Sequence, residues 1–327
     1  MDKEPPNVFA PQFSLPAFAK INWSLRVLGK RSDGYHEVET VLQTISLQDT
    51  LRFESIQSSD ITLVCDKPGI PTDDSNLIVR AARALQSRKG VTCGVRIYLD
   101  KGIPSRAGLG GASANAAVAL IGLARLWKTE ITSVELEEIG STLGADVPFF
   151  FHGGRALAKG TGTSITRLPD IPEQPLLVVT PSVGVSTVEA YGALDSPTLT
   201  SNRTESILSS SHVAANSLDS DQWLKSEYLH NDFQRVIFDI EPEIERASSS
   251  LVKAGAKAVL LAGSGSSVFG IFENLEAQQR AQQWALWEPD WQIFPCATLS
   301  REEYLLALSP WGTSLLRSFD IDSNTGA

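Results

Sequence analysis

The 327-residue sequence has little cysteine and less positive than negative charge, and each shortage excludes a class of protein. Its three cysteines, Cys65, Cys93 and Cys296, are odd in number and scattered along the chain. This pattern predicts neither a disulfide framework nor a zinc cluster, and it favours the reducing cytoplasm. With 38 acidic and 28 basic side chains the formal net charge is −10, which argues against broad binding of nucleic acids or anionic membranes.

Long apolar runs are absent as well. No run is long enough to span a bilayer, and the first residues have neither the apolar core of a secretory signal nor the Arg- and Ser-rich character of a transit peptide. We therefore expect a cytoplasmic protein that binds neither nucleic acid nor a membrane.

What the sequence does contain is a hydrophobic content of 42%, enough to pack the cores of two domains. Three prolines and two acidic residues within 168–175 predict the connection between them, with domains at 1–172 and 173–327. Three stretches are predicted to be loose: a flexible arm over about the first dozen residues, a Ser/Thr/Asn-rich surface loop at 197–221, and a tail at 323–327.

Strand-like and helix-like segments are mixed in both halves, which predicts α/β or α+β layers rather than a purely parallel sheet. Strands are predicted at 17–27, 41–45, 50–54, 61–64, 95–99, 149–151, 176–180, 259–261, 268–272 and 292–296. Helices are predicted at 74–88, 134–143, 239–253 and 275–286, and a further helix after the glycine-rich segment described next. Thr132 or Ser133 is predicted to cap the helix at 134–143, and Gly144 to follow its end.

A run of glycine and small residues at 103–117 says most about function. Glycines let a backbone turn its N–H groups towards a ligand, and Ser113 is predicted to cap a helix whose N-terminus favours phosphate. The segment is not a Walker A loop, and it departs from the dinucleotide fingerprint because Ser113 takes the third glycine position and residues 100–107 separate it from the preceding strand. The alternative is an ordinary glycine loop before a buried helix.

Two charged residues stand in apolar surroundings. Lys20 and Asn22 point to the same face of the first predicted strand, where a lysine is either at a solvated edge or paired in a site. Asp146 needs a partner if it is buried, either as a helix-terminal cap or as an acid that faces a substrate hydroxyl, with Lys20 as its candidate partner. Two further segments, 33–37 with His36 and 263–267, are either simple hairpin turns or ligand contacts.

Three of these segments together resemble the dispersed motifs of the GHMP kinases: 17–22, 104–117 and 261–267. The resemblance implies a two-domain α+β fold. The first domain, 1–172, would be like domain 2 of ribosomal protein S5, the second, 173–327, would be ferredoxin-like, and the active site would lie in the cleft between them. It also implies transfer of a phosphoryl group from ATP to a hydroxyl of a small molecule.

Residues 19–22 followed by 31–37, and residues 143–149, resemble a branch of this family whose substrate carries a cytidine group. The resemblance implies that Lys20 and Asp146 are catalytic and that Asn22 orients the same substrate group. It also implies that the cytidine end contacts three rings, those of Tyr35, His36 and Tyr191.

The resemblance further implies that ATP binds to one continuous stretch, formed by Pro104, Ser105, Arg106, Ala107, Gly108, Leu109, Gly110, Gly111, Ala112, Ser113 and Ala114. Mg²⁺ is expected with ATP, held mainly by phosphates and water rather than by a cluster of protein ligands. The loop departs from the family at Arg106, Ala107 and Ala112, since the family's loop is usually richer in glycine.

Two alternatives stay open: a kinase of the same family with a different alcohol substrate, and a ligand-binding protein without catalytic activity on the same fold. The presence of both Lys20 and Asp146 argues against a purely binding role.

Overall fold

The structure is a computed structural model that describes residues 12–195, 228–284 and 286–308. The predicted surface loop at 197–221 and the predicted tail at 323–327 lie outside these residues, as does all but the end of the predicted N-terminal arm. In the described ranges, no helix combines the length and the apolar character needed to cross a membrane.

The first sheet is built around a long antiparallel hairpin whose turn contains Asp33 and Gly34, a favoured turn pair. The strands are β1 (Gln12–Lys30), β2 (His36–Ile56), β3 (Ile61–Val64), β4 (Gly94–Asp100), β5 (Arg155–Gly160), β6 (Ser164–Arg167) and the short β8 (His230–Asn231). In the described residues they follow the spatial order β3-β4-β2-β1-β8, with β5 on β2 and β6 on β5.

Helices cover one face of this sheet and complete the first core. Asn76 caps the N-terminus of α1, and Thr132 forms a capping box with Glu135 at the start of α3, as predicted for this residue. Gly122 lets the buried α2 approach β2, since a Cβ atom there would lie 2.4 Å from the Phe53 ring. The bounds of these helices are α1 (Leu77–Lys89), α2 (Gly111–Leu126), α3 (Ser133–Leu143) and α4 (Phe149–His152).

The second sheet has the antiparallel order β11-β7-β10-β9. Numbered within that sheet alone, the order is 4-1-3-2, with helices between its first and second and its third and fourth strands, which is the ferredoxin-like arrangement expected from the sequence. The strands are β7 (Pro175–Thr180), β9 (Ala258–Leu261), β10 (Val268–Ile271) and β11 (Gln292–Ala297). The helices in these connections are α5 (Thr187–Leu194), α6 (Phe233–Ile240), α7 (Pro242–Lys253) and α8 (Leu275–Gln282).

Two later segments return to the first sheet and its core. β8 pairs in parallel with β1, at Ser24–Leu25. The last described helix, α9 (Arg301–Leu308), buries Tyr304 and Leu308 in the core formed by α1–α4 and the first sheet. The predicted division between residues 172 and 173 stays a prediction.

Four predicted elements differ from the observed ones. Residues 149–151 were predicted as a strand, which is wrong: they form the short helix α4, whose three phenylalanines are all fully buried. A run of apolar residues does not distinguish a buried strand from a buried helix. The helix predicted at 239–253 is interrupted at Glu241, because Pro242 disfavours helical backbone in the residue before it and starts a new helix. The strands predicted at 41–45 and 50–54 are parts of β2.

Candidate active site

The glycine-rich loop ends where α2 begins, and glycine rather than serine makes that junction. Gly110 occupies the N-cap position with a left-handed φ of 71°, and Gly111 is the first helical residue. The prediction that Ser113 caps the helix is therefore wrong: it lies in the first turn, and the cap has no side-chain hydrogen bond. A left-handed conformation suits glycine, which has no Cβ atom.

The loop packs closely against the second domain through its glycines. A Cβ atom on Gly108 would lie 1.8 Å from the carbonyl oxygen of Ala262, which no side chain tolerates. The contact continues where the N–H of Ser267 donates to the carbonyl of Ala107 at 3.2 Å. The segments 104–113 and 262–267, predicted separately from the sequence, thus form one surface.

Lys20 lies below this loop with its ammonium group almost wholly buried. Its backbone N–H donates to the carbonyl of Leu109 at 2.9 Å, and its side chain is 5% exposed. Its Nζ atom donates to Oδ1 of Asn22 at 2.9 Å and lies 3.5 Å from Oδ2 of Asp146. Burying an ammonium group is costly unless it is paired, so Asp146 and Asn22 together stabilise the charge at this position.

Asn22 is itself held by both domains. Its Oδ1 atom also accepts a hydrogen bond from the N–H of Gly263 at 3.1 Å, and its Nδ2 atom donates to Oγ1 of Thr40 at 2.8 Å. These bonds fix which way the amide faces. The amide therefore presents its oxygen to Lys20 and connects the first strand to the glycine turn of the second domain.

A cavity of about 550 Å³ opens above these groups. Lys20, Asn22 and Asp146 line it, and so do all the predicted loop residues from Pro104 to Ser113. Ala114, the last residue of the predicted stretch, is fully buried in the core, and its N–H donates to the carbonyl of Gly110. Its position is therefore that of a packing residue in α2.

Asp49 is a buried carboxylate that the sequence reasoning did not single out. It is fully buried, and four donors reach it. Oδ1 accepts from the N–H groups of Gly102 and Ile103 at 2.9 and 2.7 Å, and Oδ2 accepts from Nζ of Lys101 and Nδ2 of Asn115 at 2.6 and 2.8 Å. One side chain therefore fixes both ends of the glycine loop, its entrance at 101–103 and its exit in α2. Asp49 has polar neighbours, Gln48 and Thr50, and lies between the strands predicted at 41–45 and 50–54, so no local signal marked its burial.

The three rings predicted to contact cytidine lie outside the lining of this cavity. His36 stacks on Tyr191 with ring centroids 4.5 Å apart and an interplanar angle of 23°. Tyr191 also meets the edge of Phe233 at 4.8 Å. Tyr35 is 67% exposed and follows the hairpin turn. The structure therefore brings two of the three rings together and leaves the third accessible to solvent.

Charged groups surround this ring pair. His36 Nε2 lies 2.9 Å from Oδ1 of Asp195, whose other oxygen accepts from Nζ of Lys30 at 3.0 Å. The hydrogen bonds from His36 and Lys30 lower the pKa of the Asp195 carboxyl. Burial, together with the negative charge of Asp146, raises the pKa of the Tyr191 hydroxyl to about 12, so this phenol stays neutral at physiological pH.

Comparison with known proteins identifies the family of this chain. The family model described as the GHMP kinases N terminal domain matches residues 76–154, and the one described as GHMP kinases C terminal matches residues 213–285. The 4-diphosphocytidyl-2-C-methyl-D-erythritol kinase of Thermodesulfovibrio yellowstonii is 39% identical over 265 residues, which cover 81% of this chain and 91% of the relative. The protein of the same name from Protochlamydia amoebophila is 40% identical, with 79% and 85% covered.

The chain belongs to the GHMP kinase family. Within it, the identity places this GHMP kinase beside relatives named 4-diphosphocytidyl-2-C-methyl-D-erythritol kinase. A crystal structure of 4-(cytidine 5'-diphospho)-2C-methyl-D-erythritol kinase superimposes with a TM-score of 0.69 at 31% identity, covering 88% of this chain and 99% of the other. The homoserine kinase of Cytophaga hutchinsonii, at 16% identity and a TM-score of 0.62 over 91% and 98% of the two chains, shares the fold alone. The predicted family and its two-domain α+β fold are confirmed.

Proposed function

We propose that this protein transfers the γ-phosphoryl group of ATP to the 2-hydroxyl of 4-diphosphocytidyl-2-C-methyl-D-erythritol, in the non-mevalonate route to isoprenoid precursors. The hydroxyl oxygen forms a bond to the γ-phosphorus, the bond from that phosphorus to the β,γ-bridging oxygen breaks, and the products are ADP and the 2-phosphate. The observation that carries the proposal is the Lys20–Asp146 pair, 3.5 Å apart, at a cavity that the glycine loop also lines. The names of the relatives supply the acceptor.

The roles of the chain's residues follow from their chemistry. Asp146, whose side chain is 37% exposed at the cavity, receives the proton of the substrate hydroxyl. The positive charge of Lys20 stabilises negative charge on the attacking oxygen. Asn22 keeps the Lys20 ammonium in place through its 2.9 Å hydrogen bond.

The loop from Pro104 to Ser113 binds the triphosphate. Backbone N–H groups that face a cavity at a helix N-terminus are suited to phosphate oxygens, and phosphoryl transfer depends mainly on positioning and on neutralising spread charge. Asp49 acts indirectly, because it fixes both ends of the loop without lining the cavity itself.

Magnesium fits this site as an ion held mostly by phosphates and water. The described residues contain no group of three or more His, Cys, Asp and Glu side chains suited to a metal ion, whereas magnesium bound with nucleotides commonly uses one or two carboxylates. Asp146 is the carboxylate of the cavity that is able to contribute. When bound, the ion supplies positive charge against the phosphates.

We assign the cytidine end of the acceptor to Tyr35, His36 and Tyr191. The stacked His36 and Tyr191 rings, 4.5 Å apart, are too close to hold a base between them, so the base stacks on an outer face of the pair or on the exposed Tyr35. We also propose the cytoplasm as the place of action, supported by the free state of all three cysteines.

The proposal is tested by ATP consumption with a panel of acceptors: the cytidylyl substrate, mevalonate, homoserine and galactose. Turnover of the first alone supports it, turnover of another alcohol favours a different kinase of the family, and binding without turnover favours a ligand-binding protein. Asp146→Asn is the matched variant, and we expect its turnover number to fall by about 10² or more while ATP still binds. Near-normal turnover would remove Asp146 from the chemistry.

A further inference from the structure

Arg106 interrupts the glycine loop with a backbone conformation that glycine ordinarily adopts. Its φ is 56°, and Lys128 at 50° is the other non-glycine residue with a positive φ in the described part of the chain. A side chain with a Cβ atom is strained there, and such strain is found most often at ligand clamps and active sites. The neighbouring loop glycines with positive φ, Gly108 and Gly110, avoid this strain.

The Arg106 side chain is exposed and uncompensated. Among the residues that the structure describes, it forms no ion pair and no hydrogen bond, although the chain as a whole is acidic. Three cationic side chains line the cavity, and two of them are neutralised: Lys20 by Asp146 and Lys101 by Asp49. Arg106 is the cavity cation whose charge is left for a ligand.

We propose that the Arg106 guanidinium binds phosphate oxygens of the ATP triphosphate. Arginine presents several N–H donors in a planar fork that matches phosphate, and a charge-assisted bond of this kind strengthens as the nucleotide's negative charge grows. The inference rests on the proposed function in that the loop binds ATP. It adds a side-chain contact, beyond backbone N–H groups, at a loop position where the family commonly has a smaller residue.

The test compares Arg106→Gly, Arg106→Gln and the control Lys128→Gly. Isothermal titration calorimetry with Mg²⁺ measures the affinity of each for a non-hydrolysable ATP analogue and for adenosine, and thermal unfolding measures stability. We expect both Arg106 variants to bind the analogue about tenfold more weakly, with the affinity for adenosine unchanged. Both glycine variants should unfold about 2 °C higher, because both relieve a left-handed backbone, and Lys128→Gly should bind both ligands normally.

Three results would overturn the inference: unchanged affinity for the analogue in Arg106→Gly, an equal loss of affinity for adenosine, or a raised KM for the acceptor alone. An unstable variant does not obscure the result, since Arg106→Gln retains the backbone strain and removes only the charge. Failure of the proposed function is a separate outcome: the wild-type protein would then not turn over the cytidylyl acceptor, and the comparison of nucleotide affinities would still decide the role of Arg106.

Discussion

Replacing Asp49 by asparagine tests how firmly the glycine loop is anchored. The carboxylate accepts two hydrogen bonds on each oxygen, and all four donors lie 2.6–2.9 Å away. Asparagine has one acceptor oxygen, so whichever way its amide turns, two buried donors face an N–H₂ group.

The size of the effect follows from burial. Each buried donor left without an acceptor costs about 1–3 kcal/mol. The Lys101 side chain is 7% exposed, and removing the partner of a buried ion pair costs about 3–5 kcal/mol. Because these contributions overlap, we expect Asp49→Asn to lower the free energy of unfolding by about 3–5 kcal/mol and the melting temperature by roughly 10 °C.

Urea unfolding followed by circular dichroism measures this change. The matched control is Asp74→Asn, which makes the same chemical replacement in an ion pair with Arg83 whose side chains are 68% and 55% exposed. Exposed pairs contribute about 0–1 kcal/mol. If Asp49→Asn were no less stable than Asp74→Asn, Asp49 would not anchor the loop.

Three further predictions concern the loop, a helix cap and the acceptor site. Gly108→Ala should reduce turnover by about 10² or more, because its Cβ would lie 1.8 Å from Ala262 O and must displace the loop; unchanged turnover would contradict the observed packing. Hydrogen bonds from Lys89 and a helix-cap N–H hold the pKa of Glu135 at about 2, below its ordinary 4.5. The stability that this carboxylate contributes is therefore present above pH 4.5 and is lost as pH falls through 2. Glu135→Gln should be less stable than wild type at neutral pH, with the difference shrinking towards zero as the pH falls below 2; a constant difference across acid unfolding curves would refute this. Tyr191→Leu should raise KM for the cytidylyl acceptor and leave KM for ATP unchanged; equal changes in both would place Tyr191 outside the acceptor site.

Local sequence patterns and the family resemblance together predict part of the site. The glycine run, Lys20 and Asp146 were each identifiable, and their convergence followed from the family resemblance rather than from spacing. The position of Ser113 was predicted wrongly, because a glycine with left-handed φ made the cap in place of a side chain.

The parts that were missed depend on partners distant along the chain. Asp49 receives its donors from residues 52 to 66 positions away, so its local sequence shows only an acid among polar residues between two predicted strands. The helix Arg301–Leu308 was not predicted, because eight residues are too few to show a clear helical period and its burial is set by a core formed by the first domain. The prediction of a strand at 149–151 was wrong because a continuous apolar run has no hydrophobic periodicity that would distinguish a strand from a helix.

The position of Tyr304 bears on how this protein is made. Its ring fills the space beside Gly153, and its hydroxyl donates to the carbonyl of Phe150, whose own ring packs next to Gly110 at the loop. During synthesis the half that carries the glycine loop emerges first, whereas Tyr304 is translated only after the second sheet. A nascent chain that stops before α9 therefore lacks the side chain that supports Phe150 behind the glycine loop.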